Sequence, residues 1–140
     1  MSGKGKSGCP INLALELLGD RWTLMIIRDM VFAERRHFRE FLQSAEGISS
    51  RTLAERLQTL QEEGILTRHS DPSHKLRAVY SLTAAGIDLL PLLVDLGVWG
   101  SRHRKADPDL AAAAERIAGG GRAAMAEMKR KLELDHLALA

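Results

Sequence analysis

GISSRTLAERLQTLQEEGIL, residues 47–66, is the stretch on which the fold of this chain turns. Leu53, Leu57 and Leu60 recur at helical spacing and make one apolar stripe, while Ser50, Arg51, Thr52, Glu55, Arg56 and Thr59 fall largely off it. Ser49 is placed to cap the helix start. Gly64 stands where a left-handed terminator is wanted, immediately before Ile65 and Leu66, which can open a strand. The helix therefore keeps one face for packing and one for a partner. Its first turn, rich in hydroxyls and cationic, has the chemistry of a helix that enters a DNA groove.

Working outward, Phe38, Phe41 and Leu42 give a preceding helix over 37–45, and Glu46-Gly47 joins the two tightly, as in a helix-turn-helix. After Gly64 the period changes. Residues 65–70 and 76–82 are short and β-prone, and Asp71-Pro72-Ser73-His74-Lys75 between them is turn chemistry, so the pair reads as a hairpin, a wing. Pro10 opens a short first helix with Ile11, Ala14, Leu15, Leu17 and Leu18 spaced to bury one side before Gly19. Asp20 caps a second, over 21–31, with Trp22, Met25, Ile26 and Met30 as its stripe. Thr83 caps a long helix to about residue 104, bent or restarted at Pro91. Its Ile87, Leu90, Leu93, Val94 and Trp99 supply more apolar surface than a small core absorbs. Beyond Asp107-Pro108 come helices over 110–118 and 122–137, separated by a Gly119-Gly120-Gly121 hinge.

The predicted fold is thus mainly α with a small β-hairpin (α+β): a winged helix-turn-helix with extra C-terminal helices. It divides into a flexible arm over 1–8, a DNA-binding domain over 9–105 and a helical extension over 106–140. At 140 residues and 45% hydrophobic, the chain is sized for one ordinary core. A net charge of +2 permits nucleic-acid binding without demanding it, so charge placement has to carry that argument. One cysteine, Cys9, excludes an intramolecular disulfide and a Cys-based zinc cluster and suits a reducing cytoplasm. The first residues lack the apolar core of a signal peptide, and no apolar run reaches the length that crosses a bilayer.

Cys9-Pro10-Ile11, Leu15-Glu16-Leu17-Leu18-Gly19-Asp20-Arg21-Trp22-Thr23, Ile48-Ser49, Leu53-Ala54-Glu55-Arg56-Leu57 and Tyr80-Ser81-Leu82-Thr83-Ala84-Ala85-Gly86 occur in order. With these motifs the chain resembles the HxlR family of bacterial winged helix-turn-helix transcriptional regulators, over roughly residues 9–100. The resemblance implies a homodimer on operator DNA, its contact made by the first and last helices of the shared region. It also implies, for Cys9 alone, the thiol sensing of electrophiles or oxidants found in some relatives. One departure stands out: Phe32-Ala33-Glu34-Arg35-Arg36-His37-Phe38 lacks the Gly-Pro turn and Phe-Ser-Glu start that relatives often carry.

The candidate DNA-binding residues are Arg36, Ser49, Ser50, Arg51, Thr52, Arg56, His74, Lys75 and Arg77. Arg51 is the first choice for base reading, because a guanidinium at the leading turn reaches guanine edges. The plain alternative pairs Arg51 with Glu55 and Arg56 with Thr52 or Glu63 as solvated side chains. His74, Lys75 and Arg77 suit phosphates or a minor groove at the wing, with Arg35, Arg36 and Arg39 on the backbone near the third helix. Cys9, ahead of Pro10 at a helix start with Lys4 and Lys6 nearby, is a candidate thiol sensor, or simply a small half-buried residue.

Of the five histidines only His69 and His74 can meet across the hairpin, so no metal site is expected. No nucleophile-base order or phosphate-cradling glycine loop can be assembled, and neither an enzyme nor a cofactor is expected. In the tail, Met125, Met128, Leu132, Leu134 and Leu137 form a stripe suited to packing on a dimer or, less readily, to enclosing a small-molecule effector. The reading from another functional class is a winged-helix protein-interaction module without DNA binding.

Overall fold

A computed structural model describes residues 7–137, with only the backbone of Lys75; residues 1–6 of the expected arm, with Lys4 and Lys6, lie outside the described residues. The elements are α1 (Pro10–Leu18), α2 (Arg21–Phe32), α3 (Phe38–Leu42), α4 (Ser50–Glu62), β1 (Leu66–Asp71), β2 (His74–Leu82), α5 (Ala84–Ile87), α6 (Leu90–His103), α7 (Pro108–Gly119) and α8 (Gly121–His136). The core draws Ile26, Ile27 and Met30 from α2, Phe41 from α3, Leu53, Leu57 and Leu60 from α4, and Leu66 and Leu82 from the wing root. Ile87, Leu90 and Leu132 close it from the later helices.

The decisive stretch folds as its residues dictate. Ser49 Oγ accepts the Thr52 N–H at 3.1 Å, which satisfies one orphan donor of the first turn of α4. At the other end Gly64 takes φ 78°, with Gly64 N–H donating to Gln61 O and Ile65 N–H to Leu60 O, the paired bonds of a Schellman stop. Asp20 caps α2 likewise, its Oδ1 accepting from the backbone N–H groups of Trp22 at 2.9 Å and Thr23 at 3.2 Å.

Three expectations are corrected. The α3 helix is only Phe38–Leu42, and the missing Gly of the preceding turn is replaced by Glu34 itself in the left-handed region at φ 56°. The wing has a two-residue turn, Pro72-Ser73, with Asp71 paired to His74 and the extra residues of β2 accommodated in a bulge between Ser70 and Asp71. His69 faces Val79 rather than His74 in this register. The long helix restarts at Pro91 as expected, breaking at Asp88-Leu89 so that Pro91 sits in the first turn of α6. By length and composition the segment Ala84–His103 is nevertheless long and apolar enough to cross a membrane, with a mean hydropathy of 1.3. Here Leu90, Leu93 and Val94 of that segment are buried in the core.

The C-terminal helices return to the same core. Gly121, at φ 65°, turns α7 into α8, and Leu132 is buried while Met125, Met128 and Leu137 pack beside it. The tail stripe is therefore spent largely within its own chain, with Leu134 left exposed. The α1 stripe behaves in the opposite way. Only Leu18 of that helix is buried, and Ile11 and Leu15 are 71% and 57% exposed.

Candidate nucleic-acid interface

The outward face of α4 presents Ser50, Arg51, Ala54, Glu55 and Gln58 to solvent. The Arg51 side chain is 90% exposed, and among the described residues its one partner is Glu55, whose Oε2 lies 3.5 Å from Arg51 Nε. So loose an ion pair in water contributes at most a few tenths of a kcal/mol, roughly, and yields readily to a base edge or phosphate. Ser49 and Ser50 are exposed beside it, and Thr52 is half-buried.

Two candidate arginines are otherwise engaged. Arg36 Nε donates to the Tyr80 carbonyl at 2.9 Å, Nη1 to the Asp135 carbonyl at 3.0 Å and Nη2 to the Ser81 hydroxyl. Its backbone carbonyl also accepts the Tyr80 N–H at 2.9 Å. With its fork consumed by the wing root and α8, Arg36 is removed from the phosphate contacts and reassigned to the scaffold. Arg56 Nε donates to Asp20 Oδ1 at 2.9 Å, neither of the partners foreseen for it. It ties α4 to the cap of α2, and hydrogen bonds from Thr23 and Arg56 hold the Asp20 carboxyl below its ordinary range against the opposing effect of burial.

On the wing, His74 and Arg68 are exposed and Arg77 is half-exposed, its Nε 3.6 Å from Asp71 Oδ2. These residues and Arg39 of α3 border a cleft of about 780 Å³ between α3 and the hairpin. Arg68 was not singled out from sequence, because strand alternation puts it on the same face as buried Leu66, yet it is exposed farther out along the wing. Asp71 shapes the wing tip: its Oδ1 accepts from the Ser73 N–H at 2.9 Å and the Ser73 hydroxyl at 2.8 Å. Oδ2 lies 3.1 Å from His37 Nε2. The Ser73 bonds first, then His37 and Arg77, hold this carboxyl down to about 2. His37 links wing to helix, since its backbone N–H also donates to Glu40 Oε1 of α3 at 3.0 Å.

The turn between α3 and α4 is fastened from below. Arg28 makes a bidentate pair with Glu46 at 2.8 and 2.9 Å while also donating to Asp29 and Ser44. Arg35 meets the other oxygen of Asp29 at 3.1 Å. The Arg28 and Ser44 bonds bring the Glu46 carboxyl down to about 2. Nothing in sequence spacing marked this group, because its members come from α2 and from a turn well downstream.

The family model of HxlR-like helix-turn-helix proteins matches residues 17–108. The chain belongs to the HxlR-like family. An HTH-type transcriptional regulator of Mycobacterium tuberculosis is 41% identical over 96 residues, which are 69% of this chain and 60% of that relative. The crystal structure of the reduced transcriptional regulator YodB of Bacillus subtilis superposes with a TM-score of 0.57 at 30% identity, covering 72% of this chain and all of YodB. The redox regulator HypR in its reduced form gives 0.60 at 28% identity, over 69% of this chain and 94% of HypR. The HxlR-like match ends where α7 begins, so α8 and its bonds to Arg36 and Leu82 lie beyond it.

Cys9 is exposed and stands at the N-cap of α1, with no side-chain capping bond. Among the described residues no group of three or more His, Cys, Asp or Glu is arranged to hold a metal ion.

Proposed function

We propose that this chain is a sequence-specific DNA-binding transcriptional regulator, a repressor acting as a cytoplasmic homodimer on a palindromic operator. The observation that carries the reading is the exposed guanidinium of Arg51, only loosely paired with Glu55, at the leading turn of α4, with the exposed wing cations Arg68 and Arg77. Arg51 reads a base, Ser49 and Ser50 accompany it at the helix start, and His74, Lys75 and Arg77 hold phosphates. The dimer is supported by apolar surface that one chain leaves uncovered: Ile11 and Leu15 on α1, with Leu96 and Trp99 on α6. Cys9, exposed on that same α1, is the candidate sensor of electrophiles or oxidants, in keeping with the redox character of HypR.

A gel shift on the DNA upstream of the chain's own coding sequence, repeated across salt, tests the reading. Phosphate contacts require affinity to fall steeply with rising salt. Absence of a shift at low salt would favour a protein-interaction module instead. Operator release by an electrophile that persists unchanged in Cys9→Ser would remove the sensor role and leave the DNA reading intact.

A further inference from the structure

Between the end of α2, the turn before α3 and the inner side of α8 lies a cavity of about 460 Å³, within the range of small-ligand sites. Met30, Val31, Met128 and Leu132 provide its apolar wall. Methionines at two of these positions adapt their shape to a flat or irregular guest.

The polar side of the cavity is unusual in its bookkeeping of charge and donors. Lys131 Nζ sits 2.9 Å from Asp135 Oδ2 and 3.5 Å from Glu34 Oε2, and each nitrogen of the Arg36 guanidinium already donates to Tyr80, Ser81 or Asp135. Two cations face two anions, so the lining selects neither an anionic nor a cationic guest. One donor nitrogen of the lining has no described partner. His136 is 3% exposed, lines the cavity and accepts the Leu82 N–H on Nδ1 at 2.9 Å. A neutral imidazole that accepts on Nδ1 carries its proton on Nε2. Burial keeps this ring neutral by lowering its pKa to about 4. No described residue accepts the Nε2 proton, and the ring itself lines the cavity.

The geometry points to a binding site for a small neutral molecule with an apolar body and one acceptor oxygen, a ketone or an aldehyde. The oxygen accepts from His136 Nε2, and the body lies against Met30, Val31, Met128 and Leu132. Three of these residues, Met128, Leu132 and His136, follow the end of the family match, so the site belongs to the extension of this chain. It stands independently of DNA binding.

The test titrates the full-length, isotope-labelled chain with acetophenone, and in parallel with ethylbenzene and benzoate, following backbone amides and methyl groups by NMR. Acetophenone is expected to shift the Leu82 amide saturably and to give cross-peaks from its methyl group to the Met30 and Met128 methyls. Ethylbenzene, which lacks the acceptor, should bind about tenfold more weakly, as should charged benzoate. Met128→Trp, which fills the cavity, should abolish the acetophenone response. The cross-peaks in the unmodified chain decide the matter should that variant fold poorly. Absence of saturation, equal binding of ethylbenzene, or cross-peaks only to residues of α6 and α7 would overturn the assignment.

Discussion

Three arginines offered by the sequence for DNA contact, Arg36, Arg51 and Arg56, have three different surroundings, and substitution separates them. Arg51→Ala is expected to leave the thermal midpoint unchanged and to cost about 1–3 kcal/mol of binding at one base position. Competition with single-base operator variants checks this, since equal loss on every sequence would contradict base reading. Arg77→Ala, in contrast, should weaken all sequences alike and lower the salt slope by roughly one. Arg36→Met leaves the Tyr80 and Asp135 carbonyls and the Ser81 hydroxyl without that donor, so its first effect should be a lower melting temperature. His136 adds a pH signature. Its folded pKa is lowered to about 4 from an ordinary 6.5, so the unfolded chain binds more protons between those values and stability rises with pH across that window. The loss on descending through it is on the order of 3 kcal/mol. Urea titrations over that range should show the slope, and His136→Gln should flatten it. The carboxylates of Glu46 and Asp71, held near 2, contribute in a lower window: their stabilisation is intact above the ordinary carboxylate values and disappears only as pH falls toward about 2.

At the scale of elements, the turn between α2 and α3 carries a cost the sequence announced by what it lacks. Glu34 occupies a left-handed conformation that disfavours a side chain by about 1–2 kcal/mol. Its ion pair with Lys131, at 3.5 Å on the surface, offsets little of this. Glu34→Gly is therefore expected to stabilise the protein by up to about 1 kcal/mol, read as a rise in thermal midpoint. The α4 helix was legible from 47–66 because its cap, stripe and terminator are all local. The wing was legible as a hairpin, but its register was not: the side chain of Asp71 organises a two-residue turn through Ser73 and His37, and the latter contact is long-range. The site residues divide the same way. Exposure of Arg51 followed from helical spacing, whereas the engagement of Arg36 with α8 and of Arg56 with Asp20 depends on tertiary neighbours that no local pattern encodes.

For the whole molecule, the balance of covered and uncovered apolar surface sets its assembly. The tail stripe is mostly used up inside the chain, while α1 and α6 keep exposed leucines and Trp99, itself 58% exposed. On the proposed homodimer, Trp99→Glu is expected to move the sedimentation toward monomer in analytical ultracentrifugation and, with it, to weaken binding to a full palindrome far more than to a half-site. The bonds from Arg36 to Asp135 and from Leu82 to His136 span 99 and 54 positions. Loop-closure entropy makes such contacts late events, and a chain emerging from the ribosome is folded from its N-terminal side first. The base of the wing is thus completed only by residues synthesised well after it. A nascent winged domain whose α8 has not yet emerged lacks this brace, and competence to grip an operator waits on a helix far from the groove-facing one.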